Sequence, residues 1–423
     1  MILYEKGSPD TVLSPDDVRE GVHSALSAFG AIRNMLIVPP DITRFHSRAG
    51  ELTRYAYEYA ASAVKGIIPA LGTHCPMTET EIETMFGDVP KSLFRNHDWR
   101  IGCVRMGEIP ADFVSSISEG AVGYPIPVDI DRHLLAPGTD CILSIGQVVP
   151  HEVAGMAGYS KNIVIGLGGQ EMIHRSHFLG AAFGMERIMG KADSPVRKVL
   201  DYASETFLTS LPIVHAITVI GPDQSGNQLM RGLFIGNGRE CFLKAAELSQ
   251  KVNIHTLDRQ LKNVVVYLDP REYKSTWLGN KSIYRTRMAI EDGGRLVVLA
   301  PGVGMFGEDP EIDKLVRKFG YKGTPATLRA VRENETLQNN LSAAAHLIHG
   351  SSEGRFDITY CAGELTQKEI EGVGFTYAPV GDLLRRYDPQ KLTDGNNTLD
   401  DGEELFYISR PGAGLWAGKG KFS

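Results

Sequence analysis

The sequence predicts an α/β protein of two domains, each a mostly parallel sheet flanked by helices, with an active site in the cleft between them. Three observations predict it. Short apolar runs alternate with longer amphipathic stretches along the chain. The 423 residues, 42% of them apolar, exceed what one core organises at about 150 residues per domain. The strand–helix alternation also restarts near residue 263. The expected domains are therefore 1–262 and 263–400. A tail, 401–423, has a return to the first domain as one of its options.

Within the first block, Met35 to Val38 reads as a buried strand ended by Pro39 and Pro40, and 49–64 as a helix. Gly66 to Leu71 reads as a strand. Thr78 with Glu81 three residues on is a capping-box signature for a helix to about Met85. Cys141 to Ile145, Asn162 to Ile165 and Ile213 to Ile220 are strand candidates, and 171–188 a helix. In the second block Val264 to Leu268, Leu296 to Ala300, Asp357 to Cys361 and Leu405 to Ile408 read as strands. Helical patterns cover 281–290, 310–319, 327–333 and 336–348.

Composition narrows the function. A net charge of −7 leaves no basic footprint for nucleic acid. No apolar run reaches the ~18 residues that span a bilayer, and the opening MILYEKGSPD has no basic n-region or apolar core of a secretory signal. Cys75, Cys103, Cys141, Cys241 and Cys361 are scattered with no CxxC pair. They predict a reduced, cytoplasmic protein without a cysteine metal site, each cysteine a small buried hydrophobe.

The densest polar segment is 146–178, GQVVPHEVAGMAGYSKNIVIGLGGQEMIHRSHF, which a strand delivers. Its glycines imply tight turns, and loops after the carboxyl ends of parallel strands are where α/β proteins build sites. His151, Lys161, His174 and His177 fall in it, the last two at i,i+3 on one helix face. Histidine is the commonest metal ligand and acid–base group near neutral pH, and also a common hydrogen-bonded structural residue. Lys161 in a glycine-rich loop fits a phosphate clamp, a Schiff-base lysine or an ordinary solvated charge. A second cluster, PPDITR, puts Asp41, Thr43 and Arg44 at the end of a strand; Asp41 also fits a turn cap. A third, GTHCP, delivers His74 into a turn. NHD at 96–98 is a weak fourth candidate, since neighbours in sequence seldom orient each other. GVGMFG at 302–307 follows a strand but matches neither a dinucleotide fingerprint nor a P-loop. There is no HExxH.

Taken together, PPDITR, GTHCP, VPHEVAGMAGYSK and EMIHRSH, in that order, resemble the nickel-dependent lactate racemase family. The spacings of ten from His151 to Lys161 (161 − 151) and sixteen from Lys161 to His177 (177 − 161) match that family's pattern. The resemblance is sharp over 35–180 and loose after 260. It implies an isomerase that inverts carbon 2 of a 2-hydroxy acid with a nickel-pincer nucleotide, pyridinium-3-thioamide-5-thiocarboxylic acid mononucleotide carrying nickel, made by separate cofactor-biosynthesis enzymes. Lys161 would be the covalent link, His177 the nickel ligand, and His74 and His151 the acid–base pair. Asp41, Thr43, Arg44 and Tyr284 would hold cofactor; Arg44, Arg285 and Asn339 would meet substrate. His174 has no role by this analogy.

KSIYRTRM departs from the family: Arg285 stands where Gln is expected and Met288 where Lys is expected. Asn339 or Asn340 stands where the family carries an aromatic residue. These changes imply a more polar pocket and a polyhydroxylated acid of the gluconate/mannonate type, with lactate or malate as the alternative substrate. From other classes, a divalent-metal hydrolase or lyase and a non-catalytic acid-binding protein are the competing expectations.

Overall fold

The computed structural model of the protein describes residues 1–223 and 226–421. They form two compact units: Met1–Leu179 with Ile188–Asn253, and Gly180–Arg187 with the chain from Ile254 onward. The sheet of the first unit contains β1 (Ile2–Gly7), β2 (Met35–Val38), β3 (Val64–Ile67), β4 (Cys141–Gln147), β5 (Ile213–Pro222) and β6 (Gln228–Gly236), in the order β1-β6-β5-β4-β2-β3. β5, β4, β2 and β3 run parallel; β6 and β1 are antiparallel additions at one side.

Both faces of this sheet are covered, which is why β2 and β4 are buried throughout rather than alternating. On one face Val18, Val22 and Leu26 of α1 (Pro15–Phe29) and Leu52 and Ala56 of α2 (Ala49–Ala60) share a core with Ile37, Leu143, Ile145 and Leu233. On the other, Phe242, Ala245 and Ala246 of α7 (Arg239–Asn253) join Ile217, Val219 and Phe234. The capping box at Thr78 and Glu81 forms and opens α3 (Glu79–Phe86).

The second unit has its own sheet: β7 (Leu261–Tyr267), β8 (Ile290–Ala300), β9 (Asp357–Ala362), β10 (Thr376–Tyr377), β11 (Gly395–Thr398) and β12 (Glu404–Ile408), in the order β10-β9-β8-β7-β12-β11. All its pairings are parallel except β11 with β12. The tail therefore pairs inside this unit and does not return to the first: β12 lies against β7, and Leu415–Gly418 pairs with Ile254–Leu257. Glu186, from the short excursion 180–187, anchors that segment here by accepting bonds from Arg287 and Arg355. Among the described residues no helix is long and apolar enough to cross a membrane.

The α/β class with parallel-rich sheets is as expected, and several local readings are corrected. Asn162 to Ile165 is not a strand but part of α4 (Ser160–Val164). A short buried run of Ile and Val carries no periodicity that tells strand from helix. The expected helix 281–290 stops at Tyr284 and the chain enters β8 at Ile290. The helix expected over 171–188 breaks at Gly184, whose φ of +111° ends α5 (Gln170–Phe183). Of the cysteines, Cys141, Cys241 and Cys361 are buried as expected, but Cys75 is exposed and Cys103 half-buried.

One side chain ties the helix after the glycine loop to the sheet. The Asn162 amide donates to the carbonyl of Val38 at the end of β2 (3.0 Å), and to Ser144 Oγ (3.1 Å) and the Ile145 carbonyl (3.2 Å) on β4. Gly166 permits this close docking, because a Cβ there would meet the Asn162 carbonyl at 2.3 Å. Asn162→Ala should cost about 1–3 kcal/mol by stranding buried carbonyls. The check is a lower denaturant midpoint at unchanged slope; an unmoved midpoint would show that the amide is dispensable.

Candidate active site

Three of the sequence motifs lie at the carboxyl ends of three neighbouring parallel strands. PPDITR follows β2, GTHCP follows β3, and VPHE follows β4. Neighbouring parallel strands end at one edge, so segments scattered over more than a hundred residues of sequence emerge together. α4, carrying Lys161, is pinned to this same edge by Asn162.

Asp41 is buried and is the hub of the first cluster. One carboxylate oxygen accepts from the Thr43 amide (2.9 Å) and hydroxyl (2.5 Å); the other meets His74 Nδ1 at 2.6 Å. Burial pushes the Asp41 carboxyl up. The His74 charge and hydrogen bond, the Thr43 hydroxyl and the Arg44 charge outweigh it, so the group sits below its ordinary range and is ionised. An ionised Asp41 requires the proton of His74 on Nδ1, which leaves Nε2 as the basic nitrogen.

His151 is set the other way. Its Nδ1 accepts from the Val153 amide at 3.1 Å and faces the Ala154 amide at 3.4 Å. In the neutral ring the proton is therefore on Nε2. Glu152 Oε2 lies 3.7 Å from the same Nδ1, beyond hydrogen-bond range but near enough to favour a charged ring. The two histidines are thus complementary, one offering a lone pair and the other an N–H.

Part of the Lys161 surface stays accessible. Burial is nonetheless the largest influence on its amine. With the repulsion of Arg44 and Arg197 exceeding the attraction of Glu152 and Asp41, it lowers the pKa from 10.5 to about 8. The charges acting on this amine belong to the PPDITR turn, the turn after β4 and the helix that bears Arg197. His177 stands on α5, with Nδ1 donating to the Ile173 carbonyl at 2.7 Å. That bond fixes the ring and places the Nδ1 proton, so the lone pair of the neutral ring is on Nε2. His174 instead is buried against Trp99, and burial lowers its pKa to about 4; it is a neutral core residue.

The other candidates have structural employment. His97 pairs not with its neighbour Asp98 but with Asp131 (2.7 Å), and its Nε2 meets the Gly168 carbonyl at 3.1 Å, bracing the glycine turn ahead of α5. The GVGMFG turn is closed by the protein itself, since Asp313 takes the amides of Phe306 and Gly307. In the second unit Arg285 is almost fully buried, its guanidinium 3.4 Å from the Gly414 carbonyl. Tyr284 is buried with its ring edge-on to His349, and Met288 is core. Asn339 is exposed at the end of a short helix, while Asn340 caps the next helix through the Ala343 amide. Among the described residues no three His, Cys, Asp or Glu side chains are grouped to hold a metal, the ligand set a divalent-metal hydrolase or lyase requires.

Sequence reasoning missed Asn162, Arg197 and Asp201. Arg197 and Asp201 lie one helical turn apart on α6 (Pro195–Phe207), and both are buried. No local pattern distinguishes such a pair from a surface ion pair.

Lys161 carries a stability cost with a defined sign. Its pKa is lower folded than unfolded, so the unfolded chain binds more protons between about pH 8 and 10.5. Wild-type stability therefore rises with pH through that window. Lys161→Met should be more stable than wild type at pH 7 by ~1–3 kcal/mol, the advantage shrinking towards pH 10.5. Thermal melts across pH check it, and a variant less stable at pH 7 would contradict the buried-cation account.

A comparison with curated protein sequences gives no match. A crystal structure of a Thermotoga maritima protein is similar over 98% of this chain and 100% of that one, with a TM-score of 0.81 and 25% identity. The lactate racemase apoprotein of Thermoanaerobacterium thermosaccharolyticum matches over 96% of this chain and 93% of that one, with a TM-score of 0.68 and 18% identity, which is a likeness of fold. Residues 21–187, which include all four motifs, match the lactate racemase N-terminal domain family, and over that region the chain is similar to it.

Proposed function

We propose that the chain is a racemase or epimerase acting at carbon 2 of a 2-hydroxy acid, and that it does so with a nickel-pincer nucleotide attached at Lys161. The observation that carries the reading is the pairing of His74 and His151 in opposite tautomers on the strand edge where Lys161 is docked. The residues fit the group. An amine whose pKa is lowered to about 8 is neutral far more often near pH 7 than an ordinary lysine, as acylation requires. The Ile173 carbonyl on His177 Nδ1 leaves the imidazole nitrogen that a square-planar nickel site with sulfur donors would use. When bound, the nucleotide supplies a reversible acceptor for the carbon-2 hydride.

The chain's own residues do the proton work. His74 Nε2 takes the proton of the 2-hydroxyl, and ionised Asp41 stabilises the imidazolium this creates. In its imidazolium form His151 returns a proton from Nε2 and is left as the neutral ring, its other proton on Nδ1 beside Glu152. Inversion needs acid–base groups for both antipodes, each serving as acid in one direction and base in the other. Arg44 is the cation near these groups for a carboxylate or phosphate.

The finer substrate reading is a sugar acid of the gluconate/mannonate type, with lactate or malate as alternative. Its support is the absence of an aromatic residue at 339–340 and the presence of Arg285 where the family carries Gln. The test supplies cofactor-loaded enzyme with D-gluconate, D-mannonate, malate and lactate separately and quantifies the carbon-2 epimer. Sugar-acid turnover with little lactate turnover supports the full reading; lactate or malate turnover keeps the reaction and discards the substrate. His74→Ala and His151→Ala should each lower kcat at least ~100-fold while Lys161 stays modified. Full activity in either variant would remove that histidine from the chemistry.

A further inference from the structure

The turn that presents Lys161 is strained. Gly155 and Gly158 have φ of +79° and +78°, and Tyr159, which has a side chain, has φ 58° and ψ −135°. A non-glycine residue holds such a conformation only when its surroundings over-determine it. What over-determines it is Arg197, fully buried on α6. Its Nη2 donates to the carbonyls of Met156 (2.7 Å) and Gly158 (3.3 Å), and its Nη1 to Ser160 Oγ (2.8 Å). Ser160 passes the chain on to Asp201 at 3.1 Å, and Asp201 is also paired with Arg239 at 3.1 Å. The guanidinium lies over the Phe242 ring (4.3 Å), against which Tyr159 stacks (5.5 Å). Three alternate residues before Lys161, Met156, Gly158 and Ser160, are thus held by one planar fork whose own place is set by α6 and α7.

We propose that Arg197, acting through Ser160, is a positioning residue for Lys161: it holds the 156–160 turn so that the lysine is delivered to the strand edge, withdrawn from water and beside a second buried cation. The proposal rests on the reading of Lys161 as an attachment point, which gives a reason to keep its amine neutral. The charged groups that act on this amine are Arg44 and Asp41 after β2, Glu152 after β4, and Arg197 on α6. Arg197 is thus the contributor from outside the strand edge. A lysine would not replace it, since a point charge cannot serve two carbonyls and a hydroxyl with one plane of donors.

The test uses the cofactor-free full chain, so it is independent of whether the cofactor reading holds. Acetylation of Lys161 is followed by peptide mass spectrometry as a function of pH, with half-exposed Lys198 as the internal reference. Arg197→Gln should raise the pH midpoint of Lys161 labelling and cut its rate at pH 7 about threefold or more, with Lys198 unchanged. Ser160→Ala, a milder change that unhooks the fork from the turn, should move the midpoint in the same direction. Arg197→Lys should fall between Arg197→Gln and wild type, because it keeps the charge and loses the geometry. If Arg197→Gln does not fold, Ser160→Ala decides. A folded Ser160→Ala or Arg197→Gln protein whose Lys161 profile superimposes on wild type overturns the proposal. Failure of the functional reading would be seen separately, as an unmodified Lys161 in protein made with the cofactor-producing enzymes.

Discussion

The candidate site depends on one constraint: α4 must lie flat against the carboxyl ends of β2 and β4. The Asn162 amide enforces it by taking acceptors from both strands at once. Lys161 precedes Asn162, so the same bonds that satisfy the strand ends also fix where the lysine backbone sits. The parallel pairing of β4, β2 and β3 then brings the Asp41, His74 and His151 turns to that edge. An α/β sheet exposes polar backbone and loop residues at this edge by its construction, and here the edge is filled by charged and imidazole side chains.

A second theme is that these side chains are conditioned by their neighbours. Asp41 is kept ionised in a buried place by His74 and Thr43, and in return dictates the His74 tautomer. A backbone amide dictates the opposite tautomer for His151, and a backbone carbonyl that of His177. Lys161 is pushed toward neutrality mainly by burial. Such arrangements oppose stability, because buried charges and a strained Tyr159 cost free energy that packing elsewhere must offset. The two apolar cores on either face of the first sheet supply that reserve.

Much of this was legible in the residues. Pro39 and Pro40 marked the end of β2, Thr78 and Glu81 marked the start of α3, and the glycines of 146–178 marked a loop built for close approach. The ordered motifs pointed to Asp41, His74, His151, Lys161 and His177 before any geometry. Other features were not legible for physical reasons. Ile163 and Val164 look the same in a buried strand and in a buried helix turn. Asp131, the true partner of His97, is distant in sequence and joined only by folding. Arg197 and Asp201 carry the i,i+4 signature of a surface pair, and their burial follows from where α6 packs. A residue type also cannot reveal the contacts the fold gives it: Arg285 lies beside the Gly414 carbonyl, Asn339 is exposed, and Asn340 caps a helix.

The central claim is that Lys161 is the covalent attachment point of a carbon-2 inverting enzyme. The most direct measurement is the mass of the Lys161 peptide from protein produced alongside the enzymes that make the nickel-pincer nucleotide. The account predicts a Lys161 peptide heavier by the attached nucleotide, and an unmodified peptide when those enzymes are omitted. An unmodified Lys161 in both preparations, from folded protein, would contradict it.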